Sequence, residues 1–166
     1  RNPKHYIAIP EVSSENRRYI PMGFLDDSII PTNKIQIIPE AGLYEFGILT
    51  SNVHMAWMRV VAGRLEMRYD YSKKIVYNNF PWCTPTDTQR AKIEKTAQGI
   101  LDARAKYPDS SLADLYDEVL MPPELRKAHQ ANDRAVMEAY GFWGKLNTES
   151  ECVAQLMKMY QKLVDK

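Results

Sequence analysis

Apolar and polar positions follow two different rhythms along this chain, and the change between them separates a turn-rich first half from a helical second half. Tyr6-Ile7-Ala8-Ile9-Pro10 reads as a short strand closed by proline, and a polar loop from Glu11 to Arg18 follows it. Tyr19-Ile20-Pro21 and Gly23-Phe24-Leu25 predict at most a strand pair, and Asp26-Asp27-Ser28 a turn. Asn33 to Ile38 alternates well enough for a strand, which Pro39 ends. From Leu43 to Ala62 the period lengthens. Leu43, Phe46, Leu49, Val53, Trp57, Val60 and Val61 recur at three and four, the spacing of an amphipathic helix, with Gly63 as its stop. After it Arg64, Glu66, Arg68 and Asp70 occupy every second position, with Leu65, Met67, Tyr69 and Tyr71 between them. In an extended segment that pattern puts charges on one face and apolar groups on the other.

The second half carries clear helix punctuation. Thr86 and Gln89 form a capping box ahead of a stripe of Ile93, Ala97, Ile100, Leu101 and Ala105. Gly99 weakens that helix by about 1 kcal/mol relative to alanine. Pro108-Asp109-Ser110 breaks the chain, and Ser111 with Asp114 opens a short turn carrying Leu112, Leu115 and Tyr116. Pro122 and Pro123 open another helix, with Leu125, Ala128, Ala131, Ala135, Val136 and Ala139 inward and Gly141 at its end. Thr148 and Glu151 cap a last helix with Val153, Leu156, Met157, Tyr160, Leu163 and Val164 inward. Thr84-Pro85-Thr86 marks the seam. The pattern predicts an α+β fold: a small mixed sheet with a long helix, then an all-α helical bundle, divided as residues 1–82 and 83–166.

Composition narrows the function classes. Hydrophobics at 45% and charged residues at 26% describe an ordinary globular protein, and a net charge of +1 means that any nucleic-acid surface is local. Cys83 and Cys152 lie far apart with no Cys-x-x-Cys, which suits free thiols in a reducing cytoplasm. No apolar run of about 18 residues predicts a membrane span. A start at Arg1 rather than Met points to a piece of a longer protein.

Catalytic signals are missing. No glycine-rich loop follows a strand, and His5, His54 and His129 have no partners at metal-binding spacing. His129 and Asp133, an i,i+4 pair, read as a helix-surface contact. Asn79-Phe80-Pro81-Trp82 comes near the Asn-Pro-Pro-aromatic loop of amino-methyltransferases, but with phenylalanine in place of the first proline it reads as a packed hinge. No catalysis is expected of this segment by itself. The alternating charged stretch keeps two readings: a row that reads base edges, or an edge strand kept soluble by its charges.

Several segments together resemble the MmeI-like restriction–modification enzymes. They are Arg17-Arg18-Tyr19-Ile20-Pro21-Met22-Gly23-Phe24, Gly47-Ile48-Leu49-Thr50-Ser51, His54-Met55-Ala56-Trp57-Met58-Arg59 and Tyr71-Ser72 through Trp82. Leu112-Ala113-Asp114-Leu115-Tyr116-Asp117, Met121-Pro122-Pro123-Glu124-Leu125, Ala128-His129-Gln130-Ala131 and Asp133-Arg134-Ala135-Val136 continue the match in order. The resemblance implies a long polypeptide that joins a nuclease, an adenine-N6 methyltransferase, a target-recognition domain and a helical C-terminal domain. This chain would be the later part of the recognition domain plus the helical tail. Its implied partners are double-stranded DNA and the methyltransferase domain of the same polypeptide. S-adenosylmethionine, and Mg where a nuclease is present, would belong to the parent, with no cofactor in this segment.

Carried over residue by residue, the resemblance makes Glu11, Asn33, Lys34, Glu66, Arg68 and Asp70 base-reading positions. Glu66 with Arg68 would accept from a cytosine amino group and donate to the paired guanine; Lys34 with Asp70 has the same complementarity, and Glu11 with Asn33 sets an acceptor beside an amide. Arg17, Arg18, Arg64, Lys73 and Lys74 would contact phosphates. The competing reading is a helical protein–protein docking module with no direct DNA readout.

Overall fold

The computed structural model of the chain describes residues 5–26, 35–65 and 68–165, with backbone alone at 5, 12–14, 26, 64, 65, 68 and 70. Asn33, Lys34, Glu66 and the expected turn at Asp27-Ser28 therefore lie outside the described residues.

Two small antiparallel sheets meet at one residue. β1 (His5–Pro10) is the middle strand of the first, between β3 (Gly23–Asp26) and β4 (Ile35–Pro39), with Ile7 opposite both Phe24 and Ile38. β1 ends at Pro10, Glu11 bends, and β2 (Val12–Ser14) begins the second sheet. There β6 (Arg68–Asp70) lies between β2 and β5 (Gly63–Leu65). The charged stretch is thus two antiparallel strands rather than one extended run.

The apolar periodicity of residues 43 to 62 is carried by two helices, α1 (Leu43–Leu49) and α2 (Asn52–Val61). Ser51 divides them. Its hydroxyl donates to the Ile48 carbonyl at 2.7 Å and accepts from the His54 amide, so one side chain closes the first helix and caps the second. Thr50 and Ser51 are fully buried, so the bend is packed into the core. After β6, Ser72 caps a π-helical turn, Lys73–Tyr77, whose Val76 carbonyl accepts from Trp57 Nε1 at 2.9 Å. Phe80 packs edge-on against His54, and the Tyr140 hydroxyl donates to the Pro81 carbonyl at 2.8 Å, so of the expected packed hinge Asn79–Trp82 the residues Phe80 and Pro81 are buried and Asn79 is exposed.

The helical half follows its punctuation closely. α3 (Asp87–Ala105) starts with the Thr86–Gln89 capping box, α4 (Leu112–Leu115) with Ser111, and α6 (Glu149–Val164) with Thr148. α5 (Pro123–Tyr140) ends on Gly141 in the left-handed region, φ 76°. α3 crosses α1 closely because Gly47 has no side chain: a Cβ there would sit 2.6 Å from Ile93 Cγ2 and 3.3 Å from Ala97 Cβ. The core runs through both halves, from Ile7, Phe46 and Trp57 to Ile93, Leu125 and Leu156.

Four expected features of the helices differ, the first being Val60, which is exposed on α2. Ala105 and Ala131 are exposed, and Leu163 and Val164 stand about half exposed past the last packed turn of α6. The inner face of α5 is polar in its middle: His129, Asn132 and Asp133 are buried there. His129 and Asp133 are therefore no surface pair, because both turn inward to partners from other segments.

Candidate nucleic-acid interface

Glu11, the described start of β4 and the strand β6 come from three segments that the fold draws to one corner. Glu11 is the joint between the sheets: its carbonyl accepts from the Tyr71 amide at the end of β6, and its carboxylate accepts from Gln36 Nε2 at 2.5 Å. Across the second sheet, Asp70 is in register with Val12 and Gly63, and Arg68 with Ser14 and Leu65. On the other side, Pro10 pairs with Ile35, the first described residue of β4 and the chain neighbour of Lys34. The backbone thus places Glu11, the start of β4 and both ends of β6 together, although 24 to 59 residues separate Glu11 from Ile35 and Asp70 along the chain.

β6 is anchored from behind. Tyr69 is buried, Tyr71 is buried, and the Tyr71 hydroxyl shares a 2.9 Å hydrogen bond with Nε2 of His54 on α2. Burial lowers His54 to about 3, far below the ordinary 6.5, so the imidazole is neutral and acts as a strut. The same burial raises the Tyr71 phenol well above its ordinary range.

The cations proposed for phosphate contact divide. Lys73 is half-buried and Lys74 exposed, both on the turn that leaves β6. Arg17 is half-buried in the loop after β2, and Arg64 lies on β5 with its backbone alone described. Arg18 is set apart. It lies over the Tyr19 ring and lines a half-open cleft of about 320 Å³ shared with Asn52, Arg59, Met137 and Glu149. Its carbonyl accepts from Arg59 at 3.2 Å, and Arg59 in turn pairs with Glu149 on α6. Hydrogen bonding to Tyr19 raises the Arg18 guanidinium above its ordinary value.

Residues 1–84 match the family model for the MmeI target recognition domain, and residues 85–166 match the model for the MmeI C-terminal domain. The chain belongs to the MmeI family. A solved structure of the Type IIL restriction-modification enzyme MmeI in complex with DNA superposes with a TM-score of 0.93 at 50% identity, over 98% of this chain and 22% of that one. DNA methyltransferase A of Bacillus subtilis is 39% identical over 160 residues, 96% of this chain and 18% of that protein. The chain thus spans about a fifth of the length of these relatives.

Sequence reasoning missed the polar groups that join the two MmeI-type segments. The Tyr19 hydroxyl donates to Asp133 Oδ2 at 2.5 Å, and the Asn52 amide donates to Asp133 Oδ1 at 2.9 Å. The His129 ring stacks on Tyr19 at 4.1 Å and shares a 2.5 Å hydrogen bond with the Tyr116 hydroxyl, which also accepts from Arg104. Asn132 donates to the Gly47 carbonyl at 2.8 Å and accepts from Thr96 at 2.9 Å. The bonds to Tyr19, Asn52 and Gly47 tie α5 to the first segment, and those to Tyr116 and Thr96 tie it to the other helices of the second. Gln36, the partner of Glu11, was also missed; its signal was its place two residues after Lys34 in the alternating strand.

Proposed function

We propose that the first part of this chain reads a short duplex DNA sequence through the major groove, on behalf of a longer polypeptide of the methyltransferase type. The observation that carries this reading is the corner itself, where Glu11, the start of β4 and β6 converge from three segments on an anchored scaffold. Tyr69, between Arg68 and Asp70 on β6, turns into the core. The DNA held by the MmeI relative of known structure supports the choice of ligand. On this reading Glu66 with Arg68, Lys34 with Asp70, and Glu11 with Asn33 read base pairs, each discriminating by about 1–3 kcal/mol. Arg17, Arg64, Lys73 and Lys74 position the backbone. Arg18 contributes there less than the others, because its guanidinium and carbonyl already serve the α2–α6 cleft.

The division at residues 82 and 83 separates the reader from a helical brace. S-adenosylmethionine is the methyl donor this reading implies for the parent, and the described residues do not fit it. Gly47 is filled by Ile93, and Gly141 and Gly144 hold left-handed turns rather than a cradle after a strand. Among the described residues no group of three acidic, histidine or cysteine side chains gathers for a metal ion. On the proposed reading, methyl transfer belongs to other parts of the polypeptide.

The test is a charge exchange in the intact polypeptide. Glu66→Lys combined with Arg68→Asp should convert one C·G in the methylated sequence to G·C, mapped by sequencing of modified DNA. An unchanged sequence preference would reject the pair as readers.

A further inference from the structure

Gln36 and Glu11 are bonded side chain to side chain across the joint of the two sheets. Both residues are half-buried, Gln36 on β4 of the first sheet and Glu11 at the joint with the second. The Glu11 backbone is already fixed, since its carbonyl accepts from Tyr71. Its carboxylate is fixed separately, by Gln36 Nε2 at 2.5 Å. A carboxylate can only accept, so the glutamine amide must present its NH2 group and turn its carbonyl away. One carboxylate oxygen is then engaged, and the other is left in a set direction.

We propose that Gln36 is a positioning residue for Glu11 and thereby a determinant of the base pair that Glu11 reads. This rests on the DNA-reading function above. A free glutamate side chain samples many rotamers and accepts equally from any nearby donor. Held by Gln36, its second oxygen meets an exocyclic amino group, that of cytosine or adenine, at one place in the major groove. The specificity of Glu11 is thus shared with a residue that need not touch DNA. Ile9, in register with Gln36 and fully buried in the middle strand of the first sheet, keeps that part of β4 in place.

The experiment uses the intact polypeptide and a randomised double-stranded oligonucleotide library, with sequencing of the bound fraction. Glu11→Ala should flatten the preference at one base pair. Gln36→Met, which removes the donor and keeps the volume, should weaken that same preference by about tenfold and leave the other positions and the melting temperature unchanged. Gln36→Lys restores a donor to the carboxylate and should recover the preference. The proposal is overturned if Gln36→Met leaves every position intact, or weakens all positions equally as a structural defect would. If Glu11→Ala leaves the profile unchanged, Glu11 is not a reader and Gln36 falls with it, while changes at the Glu66–Arg68 position survive. A wild-type profile that enriches no sequence rejects DNA reading altogether.

Discussion

The molecule holds two groups of polar side chains that differ in burial and in what they leave free. Around α5, Tyr19, Asp133, His129, Tyr116 and Asn132 are buried and bonded to one another or to distant backbone. At the joint of the two sheets, Glu11 and Gln36 are half-buried, and one contact uses only part of the carboxylate's capacity. Burial with most partners supplied is architecture, since removing any member strands another in a low-dielectric interior. Partial exposure with spare acceptors is what recognition requires. The comparison sorts substitutions into two sets: those at α5 should move stability and spare sequence preference, and those at the joint should do the reverse.

The largest stability effect is expected at Gly47, where α1 and α3 meet. Gly47→Ala puts a methyl group 2.6 Å from the branched Ile93 side chain and 3.2 Å from Asn132, which is bonded to the same residue's carbonyl. A loss of about 2–3 kcal/mol follows, measurable by urea unfolding of the 166-residue chain. A neutral result would show that the α1–α3 contact yields more easily than its spacing implies.

Next in size is the pH response. Burial lowers His54 and His129 from 6.5 to about 3, so the stability they contribute is whole above pH 6.5 and drains as pH falls toward 3. Asp133 runs the other way. Burial raises its carboxyl from 3.8 to about 6, so its ionised form costs stability above pH 6 and that cost vanishes below 3.8. Two histidines against one aspartate predict a melting temperature that falls between pH 7 and 4.5. Asp133→Asn removes the opposing carboxylate and should steepen the fall by about 1–2 kcal/mol across that range. Thermal melts at several pH values decide it, and an Asp133→Asn slope no steeper than that of the parent would show the carboxyl to be better solvated than its burial indicates.

The smallest effect belongs to the exposed capping box. Thr86→Ala removes the acceptor for the Gln89 amide and should cost about 1 kcal/mol, read as a small drop in denaturation midpoint with the DNA sequence preference intact. A change in preference here would break the separation between brace and reader.

The helix boundaries were legible because their signals are local. Thr86 with Gln89, Ser111 with Asp114, Thr148 with Glu151, and Gly141 each act within four residues. The break at Thr50-Ser51 was not, because the apolar period runs through it and the serine caps without a reciprocal acid. Burial of His129 and Asp133 was hidden for another reason: the decisive partner Tyr19 lies 114 residues from Asp133, and spacing on one helix says nothing of it. The alternation of residues 64 to 71 showed which side of the strand is apolar, as buried Tyr69 and Tyr71 agree. It could not show the fold-back into β5 and β6, nor that Glu11 would close the corner through Gln36.

β6 is the middle strand of its sheet. Its backbone is pinned on both sides, by β2 and by β5, and pinned behind by Tyr69, Tyr71 and His54. Ladder hydrogen bonds use no side chain, so exchanging Arg68 or Asp70 for another polar residue leaves the strand where it was. If these positions read bases as proposed, the letters can be rewritten one at a time while the line they are written on stays in place.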